Sequence, residues 1–505
     1  MKYITTIIAT VFLLTPLTGC MGEFGDINYN PNKPQEAYTS MLFTASAKYV
    51  PDFIMNSTYL DPWMQEWTGY LSETKNSQFG TFSVTERFGT TNYYRYTLKN
   101  LNLIIDMNRD EARRNTPLVR SFGSNENQIA AALTLRSFFY MSLTDILGPI
   151  PYKEAFQGVG EGNWTPKFDS QEDVYTYLDA DLKEAYGLFD TSSSLSSADI
   201  LYKGDVGKWK KFNATLRMML AVKLAKVDPT NGKERFAQAY SDGGMKEVAD
   251  GFNYTFDSNS FSFMYYIGNK TYSSRNVGFG PNKVFVDALK EHRDPRLFTY
   301  CTLDGYLGKR PGDPADFDAY LGTPFGLASN DEVSKAMQVS CSIADSYCEP
   351  QTTYGVITTA RALLVAAEAA QLGWIAADAK QLYADGIRAS FQFTGTKGAE
   401  EYITSEKVAL SDNRDAALKQ IVMQRFLAGF MTDAIESWSD WRRYNIPTIP
   451  VYPAQEASGA TVYPYRMKYA DADLQYNRDN YNNMVQQHFG GYDDRWSRLW
   501  WMGKE

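Results

Sequence analysis

The chain has 505 residues, 50 Lys plus Arg against 59 Asp plus Glu, a net charge of -9 and two histidines. That length can bury a large core, and the acidic balance argues against nucleic acid and anionic lipid headgroups as partners. Neither His292 (KEHRDPRL) nor His488 (QQHFGG) sits in a catalytic motif, and GxSxG, HExxH and P-loop sequences are missing, so triad hydrolysis, zincin chemistry and nucleotide chemistry are not expected.

At the N-terminus, Lys2 precedes an apolar run from Ile7 to Leu17 that closes on Leu17-Thr18-Gly19-Cys20. The run is too short to span a bilayer, and the small residues before the cysteine suit a signal peptidase. Residues 1–19 are therefore expected to be removed and Cys20 to carry lipid, with acyl chains as the anchor. No later apolar stretch has the length of a membrane span, which places the remainder outside the cytoplasm. Gly22 to Pro34 (GEFGDINYNPNKP) is expected to be an extended tether.

Beyond the tether, helical patterns cover Ile129–Leu147, Val174–Phe189, Trp209–Val227 and Thr358–Phe391, the last broken at Gly373. Trp209, Phe212, Leu216, Leu220 and Leu224 recur at steps of three and four, a single buried stripe that Asp228-Pro229 ends. The segments around Gly373 predict a helical hairpin in which Ala366, Ala369 and Ala376 allow close approach, as in tetratricopeptide units. No strict 34-residue period can be laid over the chain, so a helical-repeat scaffold and an irregular helical domain both stay open on internal grounds. The reading is a mainly α chain, one domain over 20–505, with the helical scaffold mainly in 35–250 and 355–440. Residues 251–354 and 445–505, rich in Asn, Tyr, Gly, Asp and Pro, are expected to be loops and short strands forming the ligand face. Gly158-Val159-Gly160-Glu161-Gly162 follows a proline-rich turn rather than a strand and reads as a flexible loop.

Cys301, Cys341 and Cys348 are an odd set. Cys341 and Cys348 could close a small loop, but free, partly buried thiols are the expectation, and zinc would need more Cys or His nearby. Asp313, Asp316 and Asp318 (GDPADFD) crowd oxygen ligands as a calcium site would, without EF-hand spacing; a solvated loop and no cofactor are expected.

The chain carries 35 Tyr, 10 Trp and 29 Phe. Aromatic faces beside amides and Arg make a platform for sugar rings, whose C–H faces stack and whose hydroxyls take hydrogen bonds. Three clusters are candidates: Trp63 and Trp67 with Tyr70; Tyr265, Tyr266, Asn269, Tyr272 and Asn276 with Arg275; and Tyr306 with Tyr320. The second ranks highest, because Trp63 and Trp67 lie at helical spacing suited to burial.

Several blocks in order resemble the SusD/RagB family of nutrient-binding outer-membrane lipoproteins of Bacteroidetes, in particular its second large subgroup. They are Asn30-Pro31-Asn32, Thr144 to Tyr152 (TDILGPIPY), Asp294-Pro295-Arg296-Leu297, Tyr320 to Gly326, Ala366 to Ala369 with Gly373-Trp374, Glu436 to Arg443 (ESWSDWRR), and Tyr463 through Asn477 to Trp500-Trp501. Tyr469-Ala470 stands where the family commonly has Tyr-Pro, and Val356 where an acidic residue is usual. The resemblance implies a tetratricopeptide-like scaffold carrying a loop-rich ligand face. It also implies a SusC-like TonB-dependent transporter as partner, which the chain caps as a lid, delivering glycan or, in some members, peptide, without catalysis. The arginines of ESWSDWRR are expected to bond buried carboxylates and carbonyls while its tryptophans fill core. Asp145 and the following prolines are expected to stop a helix. A surface glycan hydrolase, whose two carboxylates no motif would reveal, and a structural adhesion protein are the competing readings.

Overall fold

A polar residue stands before most of the longer helices and takes up amides that the first turn leaves open. The computed structural model describes residues 37–51, 63–73, 82, 87–256, 279–305, 308–432, 434–456 and 459–503. Lys99–Arg109 (α1), Asn125–Leu147 (α2), Gln171–Leu188 (α3), Val206–Val222 (α4) and Pro229–Asp242 (α5) come first. The side chains of Ser124, Ser170, Asp205 and Asp228 accept from the backbone N–H of Asn127, Asp173, Lys208 and Asn231. Thr358, Asp378 and Asn413 cap Thr359–Gln371 (α6), Ala379–Thr394 (α7) and Arg414–Ala428 (α8) in the same way.

Helix α2 is the axis. All of its residues except Glu126 and Arg136 are buried, as a helix surrounded by others requires, and α1, α3 and α4 pack on it. The stripe Trp209, Phe212, Leu216, Leu220 and Leu224 is buried, although the segment is not one helix: α4 ends at Val222 and Lys223–Lys226 tightens into a 3-10 turn. From Thr39 onward the chain is one compact unit, and among the described residues no helix is long and apolar enough to cross a membrane.

The hairpin of α6 and α7 forms as expected, but not through Ala376, which lies exposed in the connection. The close approach is made by Gly386, where a Cβ would stand 2.6 Å from Leu364 Cγ and 3.4 Å from the Ala360 carbonyl oxygen. Gly158–Glu161 is likewise a helical turn rather than a loop. Short, largely buried strands pair: Leu71–Glu73 (β1) runs antiparallel to Phe279–Pro281 (β3), and Phe252–Thr255 (β2) to Thr353–Ile357 (β4). Val356 is buried in β4, where a carboxylate would have to be desolvated, so valine suits that position. Cys301, Cys341 and Cys348 are free and buried.

Buried ion pairs join the elements. Asp145 does more than end α2: it accepts from Tyr175 Oη on α3 at 2.6 Å, from Lys223 Nζ at 2.5 Å and from Trp501 Nε1 at 3.0 Å. Lys223 also donates to Glu436, 2.7 Å away, on Ala434–Tyr444 (α9). Glu368 of α6 receives Arg425 of α8 and Arg443 of α9, each at 2.5 Å, and the Tyr444 hydroxyl. Asp440 receives Arg361 at 2.7 Å and Arg425 at 2.9 Å. Burial would raise both carboxyls, but the guanidinium groups around them hold Asp440 and Glu368 below the usual carboxylate range. The ESWSDWRR block is thus the clamp the sequence suggests. Arg442 adds the carbonyls of Asp145 at 2.5 Å and Tyr465 at 3.0 Å, sandwiching its guanidinium between Trp438 and Trp501.

Candidate ligand-binding cavity

Where α9 ends, its last turn forms one wall of a cavity of about 520 Å³. Segments 445–451 and 461–465, Arg498 and Lys226 supply the others, so the opening lies in the irregular C-terminal part of the chain. Trp441 meets both tyrosines of Tyr463-Pro464-Tyr465: Tyr463 at 5.6 Å between ring centroids and 61°, Tyr465 at 6.0 Å and 29°. The Trp441 indole N–H is buried and has no acceptor among the described residues.

The polar groups around this aromatic wall are cationic. Lys226 donates to the Arg443 carbonyl oxygen at 2.6 Å, and burial, then the charges of Arg443 and Arg498, push its ammonium below the usual lysine range. Arg498 lies 5.4 Å over the Tyr465 ring. Burial brings Arg442 down to about 10 despite Asp145, Tyr175 and Glu436 nearby. Asn445, exposed with φ 54, and Thr461 complete the rim with an amide and a hydroxyl. Neither Asp nor Glu stands among the lining residues. Trp441 and Tyr463 are themselves buried behind this wall, so the half-buried Tyr465 ring is the face on which an apolar ring can stack, with the cationic groups beside it as donors to hydroxyls or carboxylates. A second cavity of about 390 Å³ lies between the hairpin of α6 and α7 and residues 244–248. Its lining mixes aliphatic side chains with Lys246, Glu247, Asp385 and Gln392, and its Arg388 is committed to Asp385 and Glu400.

Of the residues singled out from sequence, the described ones, Trp67, Tyr70 and Tyr320, do not line this cavity. Trp67 is buried in Trp63–Trp67, a single helical turn, edge-on to Trp438 at 5.7 Å and Phe82 at 6.0 Å. Tyr70 is buried too and donates to the Phe426 carbonyl at 2.7 Å. Tyr320 is buried, its hydroxyl donating to the Pro314 carbonyl at 3.0 Å and so holding the acidic turn. In that turn Asp313 and Asp316 accept the amides of Ala315 and Asp318. The side chain of Trp63 lies outside the described residues, as do Cys20, Tyr265, Tyr266, Asn269, Tyr272, Asn276 and Tyr306. Trp441, Tyr463 and Tyr465 were not singled out as ligand contacts. The alternation Tyr463-Pro464-Tyr465, which would turn both rings to one side of an extended segment, was the available signal.

A family model described as "Starch-binding associating with outer membrane" matches residues 31–470. No curated protein matches. Among solved structures, a SusD homologue from Bacteroides fragilis superposes with a TM-score of 0.76 at 22% identity, covering 92% of this chain and 99% of that one. A chitin-binding SusD homologue from Flavobacterium johnsoniae gives 0.73 at 22%, covering 92% and 99%. One from Bacteroides uniformis gives 0.73 at 21%, with the same coverage. The family match spans most of the chain and the fold agrees over its length: this chain belongs to the SusD-like family of outer-membrane-associated binding proteins.

Proposed function

We propose that the chain is a surface lipoprotein, anchored in the outer membrane through Cys20 and facing the exterior. In this reading it binds an oligosaccharide or polysaccharide and passes it unaltered to a SusC-like TonB-dependent transporter. The observation that carries the reading is the cavity at the end of α9, where the half-buried Tyr465 ring stands beside Lys226, Arg498, the Asn445 amide and the Thr461 hydroxyl, groups that suit a ring face and its oxygen atoms. The family's description supports a carbohydrate ligand and the outer membrane. Candidate contacts beyond the cavity stay with Trp63, Tyr265, Tyr266, Asn269, Tyr272, Asn276 and Tyr306, while burial assigns Trp67 and Tyr320 to the core. No cofactor is invoked.

A peptide is the second reading, favoured by Lys226 and Arg498, which suit a terminal carboxylate. Titration calorimetry of the mature chain with chitohexaose and amylopectin, beside acidic peptides, separates the two. A reducing-end assay on the same mixtures tests for hydrolysis. Heat from peptides alone would replace the glycan reading, and released reducing ends would replace capture by catalysis. Cys20→Ser should move the protein from the membrane to the soluble fraction, and affinity purification from membranes should recover a large barrel protein.

A further inference from the structure

We infer that Trp164 is a second glycan contact, a fixed platform for one pyranose ring outside the cavity wall; this rests on the glycan reading above. Trp164 is 73% exposed, yet its ring does not hang free. A Cβ built on Gly158 would stand 2.7 Å from Cε3, 2.8 Å from Cζ3 and 3.2 Å from Cδ2 of the indole. Three consecutive ring atoms at such short range require an approach over the ring face, not its edge. One face therefore rests on the Gly158 backbone, where only glycine fits, and the exposure belongs to the other.

The loop that presents this face is tied down on both sides. Asn163 Nδ2 and the Lys167 amide both donate to Glu154 Oε2 at 3.0 Å. Asn480 donates to the Thr165 carbonyl at 2.8 Å, and Asn477 to the Pro166 carbonyl at 2.6 Å. These amides join the loop to the Tyr476–Asn480 segment, and Tyr476 is itself 78% exposed. Two open aromatic side chains thus stand on hydrogen-bonded neighbouring segments among amides and hydroxyls.

A ring already held in place loses little conformational entropy when a sugar stacks on it, so the contact adds affinity at low cost. A protein partner would look for something else. A stable interface covers about 800 Å² per partner around an apolar centre, whereas Gly162, Asn163, Thr165 and Lys167 surround Trp164 with polar and flexible groups. An isolated aromatic face in polar surroundings matches the C–H face of a single sugar within a hydroxyl-rich chain.

The test uses the full mature chain on an array of plant, fungal and host polysaccharides, comparing wild type with Trp164→Ala and Gly158→Val. Trp164→Ala should weaken retention on the polysaccharide held best by wild type by about three- to tenfold. Gly158→Val, which displaces the ring without removing it, should do the same. Both should leave far-UV circular dichroism unchanged. Retention of Trp164→Ala equal to wild type overturns the inference. So does intact retention with loss of the co-purifying barrel protein, which would assign Trp164 to a protein interface. If wild type is held by no polysaccharide, the glycan reading itself fails and the inference falls with it, an outcome distinct from wild-type binding that ignores Trp164.

Discussion

Trp501 donates its indole N–H to Asp145 at 3.0 Å, across 356 positions of sequence, in a site from which solvent is excluded. The irregular C-terminal segment is therefore fastened to the central helix through the same carboxylate that neutralises Lys223. Arg466 and Tyr469 grip the following turn, each donating to the Leu147 carbonyl, at 3.0 and 3.1 Å. The cavity wall at 461–465 is positioned by these anchors, so its geometry depends on buried charges.

Breaking that anchor should be costly in a graded way. Asp145→Asn leaves Lys223 with Glu436 alone in a dry site and should destabilise by about 3–5 kcal/mol. Trp501→Phe removes only the N–H and should cost about 1–2 kcal/mol. Urea unfolding followed by fluorescence measures both, and equal losses would mean that the charge of Asp145 is unimportant.

The α6–α7 hairpin offers a contrast between two small residues. Gly386→Ala puts a methyl group 2.6 Å from Leu364 Cγ and should cost about 1–3 kcal/mol through overpacking. Ala376→Ser in the exposed connection should stay within about 0.5 kcal/mol. Thermal unfolding of the two variants decides which residue sets the helix spacing.

The helices and their caps were legible because Ser124, Ser170, Asp205, Asp228 and Thr358 act within a few residues of themselves. The α4 stripe was legible for the same reason, as periodicity is a local property. The site was not. Trp67 gains its meaning from Trp438, and Asp145 from Lys223, Tyr175 and Trp501, partners that no spacing announces. Ala376 and Gly386 are both small residues near one turn, and only the packing of Leu364 distinguishes them. Gly158 looked like loop sequence because the reason for glycine there is the ring of Trp164.

Within the cavity, Tyr465→Ala should lower glycan affinity about three- to tenfold by removing one stacking face. Trp441→Phe deletes an indole N–H that is buried behind the cavity surface, so it should leave affinity nearly unchanged. Lys226→Ala should matter for anionic ligands alone, with an effect that shrinks as salt rises. Calorimetry at two ionic strengths reads all three, and unchanged affinities throughout would remove the cavity from the ligand path.

Asp473 gives the chain a pH dependence of unusual sign. One of its oxygens is buried without a partner among the described residues, and burial, with the charge of Asp493 adding to it against an amide of Ala470, raises its carboxyl to about 6. The unfolded chain releases this proton near the ordinary aspartate value of about 3.9. Below that value both states hold the proton and the group costs nothing. Between about 4 and 6 the unfolded chain ionises first, so stability falls as pH rises, and above 6 the full cost is in place. Asp473→Asn, which cannot ionise, should therefore stabilise by about 1–2 kcal/mol at pH 7.5, after a discount for partial exposure, and by almost nothing at pH 4. Urea midpoints of both proteins at the two pH values test this, since other titrating groups are common to both and cancel in the difference. A gain of the same size at both pH values would place the effect in packing rather than in the proton.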